Sequence, residues 1–151
     1  MVTHLENKEN TWQPHQHTDQ WSLEADRCKA DCPVQIHTLG RFGVKLHGQT
    51  TVFSAKRQPR AFELLQALIA FGGRNVSIEL LSQALWPDTD GDIAKNTFDV
   101  TLHRLRNLFK IKDLLIARER HLTLNNKLAW VDVWQLERLI NHCRPLLDRI
   151  T

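Results

Sequence analysis

The apolar residues of this 151-residue chain change period twice, and few folds accommodate both changes. From Val34 to Leu39 apolar and polar residues alternate, Gly40-Arg41 interrupts, and Phe42, Val44 and Leu46 alternate again. After a turn at His47-Gly48-Gln49 comes a third β-rich run, Thr50 to Phe53. Period 2 in three short runs predicts an antiparallel meander. From residue 59 onward the apolar positions recur every three or four residues, the signature of helices. Pro59 suits a first helical turn, and Ala61 to Phe71 carries the apolar set Ala61, Phe62, Leu64, Leu65, Ala67, Leu68 and Ile69. Gly72-Gly73 stops that helix. Ser77 caps a second one, with Glu79 in its first turn and Pro87 beyond its end near Trp86. Asp90 or Asp92 caps a third that runs to Phe109. Leu114 to Leu124 returns to imperfect alternation around Arg118-Glu119-Arg120-His121, which predicts a hairpin with a charged tip. A last helix is expected from Asp132 to about Asp148. Its apolar face holds Val133, Leu136, Ile140, Cys143 and Leu147, and Asp132 and Gln135 have capping-box spacing. The order is three strands, three helices, a hairpin and a helix, an α+β arrangement.

The third helix carries the chemistry. Phe98, Leu102, Leu105 and Phe109 form one stripe, expected to face the core. About 100° away lie Thr97, Val100, Thr101 and Arg104. A helix fits the major groove of duplex DNA; Thr and Val meet thymine methyl groups, and Arg holds the O6 and N7 of guanine with two hydrogen bonds. Lys95, Asn96 and His103 flank that stripe, within reach of phosphates or base edges, and Arg106 and Lys110 are placed for phosphates near the helix end. Arg118 and Arg120 at the hairpin tip suit a minor groove, whose negative potential attracts arginine. Taken alone, the helix reads more readily as an ordinary solvated face, and the hairpin tip reads equally well as one. Their succession, a short helix, a turn, a helix with basic groups and a basic hairpin, is what favours a helix-turn-helix with a wing over that plainer reading. The charge is distributed accordingly. Residues 1–33 hold 3 Lys/Arg and 6 Asp/Glu, residues 34–124 hold 13 and 8, and residues 95–124 alone hold 7 and 3. A local positive surface suits a polyanion.

Residues 1–33 read as a polar flexible arm in which Leu5, Trp12, Trp21 and Leu23 have the size to dock, residues 34–124 as the folded domain, and residues 125–151 as a helical extension packing back on it. No apolar run approaches the ~20 residues of a membrane span, and Met1 to Asn10 lacks a secretory apolar core, so the expected place is the cytoplasm, at the nucleoid. Three cysteines make no disulfide framework and fit a reducing compartment. His15, His17, Cys28 and Cys32 are candidate metal ligands, but a structural zinc site takes four well-placed donors and nothing draws these into one site. No phosphate loop, dinucleotide fingerprint or nucleophile elbow is present. The expectation is no enzyme, no metal and no cofactor.

Residues 34–110 resemble the OmpR/PhoB-type winged helix-turn-helix, in particular the form found in antibiotic regulatory protein (AfsR-like) activators of bacteria. The matching segments are Leu39-Gly-Arg-Phe42, Arg60-Ala-Phe-Glu-Leu-Leu-Gln-Ala-Leu68, Gly73-Arg-Asn-Val-Ser77, Leu85-Trp-Pro-Asp88 and Leu102-His-Arg-Leu-Arg106, in that order. The resemblance implies a transcription regulator that binds specific duplex DNA sequences. Its recognition helix is then about residues 92–109, with major-groove contact by Thr97, Val100, Thr101 and Arg104, and its wing about residues 115–124. It also implies RNA polymerase or a neighbouring protomer at the Trp86–Ile93 turn, and head-to-tail homodimers on direct repeats. Trp130 to Leu139 resembles the start of the helical-repeat domain that follows in such activators, so the chain is expected to be either the output end of a larger regulator or a small stand-alone protein. A winged helix used only for protein contact is the competing expectation, since fold does not fix function.

Overall fold

The computed structural model describes residues 29–50 and 58–147. The expectations for Leu5, Trp12, His15, His17, Trp21, Leu23 and Cys28 lie outside them.

The first alternating run forms β1 (Val34–His37), antiparallel to β2 (Gly43–Leu46), with Ile36 opposite Val44. His47 and Gly48, with φ of 50° and 77°, turn the chain into the two-residue β3 (Gln49–Thr50). Both left-handed values are what a tight hairpin turn requires. The rest of the expected third run, residues 51–53, lies outside the described residues. α1 (Pro59–Ala70) starts with proline in its first turn and buries Ala61, Leu64, Leu65, Leu68 and Ile69. β4 (Val76–Ser77) leads into α2 (Ile78–Leu85), where the Ser77 hydroxyl accepts the Leu80 amide at 3.4 Å. Asp90 caps α3 (Gly91–Phe109) by accepting from the Gly91 amide. The hairpin follows as β5 (Leu115–Arg118) and β6 (His121–Leu124).

Two features depart from the expected pattern. The N-terminal sheet is not a plain meander. Its order is β3-β2-β1-β7, and β7 (Ala129–Val131) runs parallel to β1, pairing Ile36 with Val131. The chain after residue 124 is thus tied into the sheet at the start of the domain. The hairpin likewise gains a strand, because β4 pairs with β6 to give a second sheet of order β4-β6-β5.

The second departure is the seat of α4 (Asp132–Leu147). The helix does pack back, but not on the face that its apolar stripe suggests. Trp134, outside that stripe, is buried against Gly73, whose φ of 72° and lack of a Cβ let the indole ring approach. Arg74 lies over the same ring, 5.3 Å from its centroid. Val133 is half-buried, whereas Leu136 and Ile140 are exposed and Cys143 is only half-buried. The first turn is fixed by Asp132, whose carboxylate accepts from the Thr38 amide and hydroxyl, the Leu39 amide and the Val133 amide at 2.7–3.0 Å. Burial alone pushes the Asp132 carboxyl upward in pKa. The hydrogen bonds from the Thr38 hydroxyl and from the Leu39, Thr38 and Val133 amides together outweigh it and hold the group below its ordinary value.

One core joins these parts. Val34 and Ile36 of β1, Leu64, Leu65 and Leu68 of α1, Leu81 of α2, Phe98 and Leu105 of α3, Leu122 and Leu124 of β6, and Val131 are all buried in it. The three helices therefore share one core with strands of both sheets, and α1 and α2 pack against α3.

Candidate nucleic-acid interface

α3 is 19 residues long and has a sharp division of faces. Ala94, Phe98, Leu102, Leu105 and Phe109 are buried. Opposite them, at steps of three and four residues, stand Asn96, Val100, His103, Arg104 and Asn107, all exposed. Val100 is 50% exposed, a high value for an apolar side chain on a helix that is otherwise well packed. Thr97 is half-buried at the margin and gives its hydroxyl hydrogen to the Ile93 carbonyl at 2.8 Å.

Thr101 corrects the expected contact stripe. It is 3% exposed and donates its hydroxyl to the Thr97 carbonyl at 2.7 Å. A side chain so placed packs α3 onto the body and presents nothing to a ligand lying along the outer face. Its angular position, between Thr97 and Leu105 on the wheel, puts it on the inner side of the boundary. Two residues that the sequence reading passed over stand on the outer side. Ile93 is exposed at the first turn, and Asn107 holds His103 through an Nδ2–Nε2 contact of 3.0 Å. The signal for Asn107 was available, since it follows Asn96, Val100 and His103 at helical spacing.

Arg106 is not an unattached phosphate ligand. Its Nη2 donates to the Leu115 carbonyl at 2.9 Å, which fixes the end of α3 to the start of β5. From Leu115 the strand runs about 10 Å to Arg118 at the tip. Arg104 lies about 3 Å along the axis of α3 from Arg106.

The hairpin tip is a two-residue turn, Glu119-Arg120, with φ of 48° and 64°. Neither residue is the glycine or asparagine that favours such a turn, so the conformation costs energy. Two bonds hold it. The Arg120 carbonyl accepts from the Ile78 amide at the start of α2, and the Glu119 carbonyl lies 2.8 Å from His121 Nδ1. A carbonyl oxygen only accepts, so Nδ1 of His121 carries the proton. Arg118 and Arg120 are exposed, and among the described residues neither they nor Lys95, Arg104 and Lys110 enter an ion pair. No helix of the described residues is long and apolar enough to cross a membrane, and no group of three or more His, Cys, Asp or Glu among them is placed to hold a metal ion.

Residues 54–121, 68 of the 151, match the family described as transcriptional regulatory protein, C terminal. This part of the chain is similar to the DNA-binding domain that the family describes. The match takes in α1, α2, α3 and the hairpin through its tip, and with them Lys95, Arg104, Arg106, Lys110, Arg118 and Arg120. Domains of the transcriptional regulatory C-terminal family are OmpR/PhoB-type winged helices that serve DNA-binding transcription regulation, and the family is not an enzymatic one. No curated protein and no solved structure matches the chain. The α+β arrangement, with its N-terminal sheet, helices and C-terminal helix, agrees with a winged helix.

Proposed function

We propose that the domain recognises a specific duplex DNA sequence by laying the outer face of α3 in the major groove. The observation that carries this reading is the outer face itself. Asn96, Val100 and Arg104 project from a helix whose opposite side is locked into the core, with no ion pair among the described residues to occupy the guanidinium. Their chemistry is complementary to base edges: Asn bonds adenine in a bidentate manner, Val packs on a thymine methyl, and Arg holds guanine. His103 and Thr97 border this set. The hairpin tip, with Arg118 and Arg120, takes the neighbouring minor groove or backbone, and Arg106 acts by holding helix and hairpin in one register. Phosphate contacts by Lys95 and Lys110 position the duplex and carry no sequence information.

The Trp86–Ile93 segment, which ends in the first turn of α3, exposes Pro87 and Asp88, a surface suited to RNA polymerase or another protein. Selection of duplexes from a random pool tests the main reading. The wild-type chain should enrich one sequence, and Arg104→Ala should lose preference at a single guanine within it. Failure to enrich any sequence, with the protein folded, contradicts sequence-specific reading and favours a protein-docking role for the same helix.

A further inference from the structure

After its first turn α4 keeps only the edge of a groove against the body, where Glu137 stands near Phe42 and Gln66. Every residue from Leu136 to Pro145 is exposed except the half-buried Cys143. A solvated segment has no use for the apolar groups found here: Leu136 is 40%, Leu139 42% and Ile140 53% exposed. Their spacing is that of a heptad seam. Leu136, Ile140 and Cys143 stand at i, i+4 and i+7, and the sequence continues the pattern to Leu147. Pro145 falls on the side away from the seam, near the end of the helix.

We propose that α4 pairs antiparallel with α4 of a second copy of this chain. The charges beside the seam choose the partner and its direction. Glu137 and Arg144 occupy equivalent positions, each following a seam residue by one, and both are exposed with no ion pair among the described residues. Seven residues apart on one helix, about 10 Å, they do not meet each other. In an antiparallel pair with Ile140 against the second copy's Cys143, residues in equivalent flanking positions face each other. Glu137 then meets Arg144 of the second copy, and the twofold axis repeats the contact. The same register covers Leu136 and Leu139. In a parallel pair Arg144 would instead face Leu139, leaving Glu137 without a cation. A contact of this type is isologous and closes at two copies.

Sedimentation equilibrium of the full chain tests the pairing without reference to DNA. The wild type should move from 17.6 kDa towards twice that mass as concentration rises. Ile140→Asp, at an exposed position, should remain at the lower mass with an unchanged circular dichroism spectrum. Glu137→Arg and Arg144→Glu should each weaken association by roughly fivefold, as like charges come together. The double variant should restore it. A wild type that stays at 17.6 kDa at every concentration overturns the proposal. So does a dimer that survives Ile140→Asp, or a double variant no tighter than the single ones.

Discussion

Arg106 and Leu115 are joined by a hydrogen bond of 2.9 Å between a guanidinium and a backbone carbonyl, and that bond connects the helix proposed to read DNA with the hairpin proposed to brace it. The residue sits on α3 only two positions after Arg104. Arg104 is the residue proposed to act on the ligand, and Arg106 acts on the protein.

Replacing Arg106 by Ala should therefore lower stability by about 1.5 kcal/mol, the scale of a hydrogen bond from a charged donor. Chemical denaturation measures that change directly. Affinity for DNA should fall as well, with base preference unchanged, because the variant disturbs positioning and leaves the base-reading groups in place.

Thr101 and Arg104 should separate in the opposite way. Arg104→Ala is expected to cost about 1–3 kcal/mol at its cognate base pair. Thr101→Val should leave base preference unaltered and move only the melting temperature, since the Thr101 hydroxyl is spent on the Thr97 carbonyl. Binding assays against single-base variants of the selected site distinguish the two.

Gly73 and Trp134 form a second dependent pair. A Cβ at Gly73 collides with the Trp134 indole, and its φ of 72° strains any other residue. Gly73→Ala should destabilise by more than about 1 kcal/mol. Trp134→Ala should cost about 3–5 kcal/mol, as expected for emptying a buried aromatic site. Thermal or urea unfolding of both variants checks these values. The two effects should fall short of additive in the double variant, because the collision disappears with the ring.

These cases also show how far residue patterns carried. The helices were legible because each has both a period and a stop: Pro59 and Gly72-Gly73 for α1, Ser77 and Pro87 for α2, Asp90 for α3. The hairpin was legible from alternation and its charged tip. β7 was not, because three residues, Ala129-Trp130-Val131, carry too little period, and their pairing with β1 spans most of the chain. Strand pairing over such a distance is decided by packing, not by local preference. The face of α4 was misjudged for a related reason. Its longest apolar stripe points outward, and one tryptophan fitting against one glycine fixes the orientation instead. On the outer face of α3, the periodicity located Asn96, Val100, His103 and Arg104 but left Thr101 on the boundary, where only the packing places it inside.

Acid should loosen the junction between β1, β7 and α4 in two stages. Burial depresses the His37 pKa below its ordinary 6.5, helped by Lys29 and Lys45 and opposed by Asp132. The unfolded chain then takes up this proton first, so the stability His37 contributes is complete above pH 6.5 and declines as pH falls towards its lower folded value. Asp132, also depressed, contributes fully above its ordinary 3.8, and that part is lost as pH falls through the folded value. Melting temperature against pH should show both declines. His37→Gln should remove the upper one and Asp132→Asn the lower.

Fluorescence anisotropy of labelled duplex DNA, titrated with the protein at several salt concentrations, tests the central claim most directly. The account predicts binding that weakens steeply with salt, at non-specific dissociation constants of about 10⁻⁴–10⁻⁶ M before the operator is known. Arg104→Ala should weaken it, and Arg118→Ala with Arg120→Ala should flatten the logarithmic salt slope by about one unit for each phosphate that these arginines neutralise in the wild type. Absence of binding at ~50 mM salt, where electrostatic attraction is strong, would contradict the account and leave α3 and the hairpin as a surface for another protein.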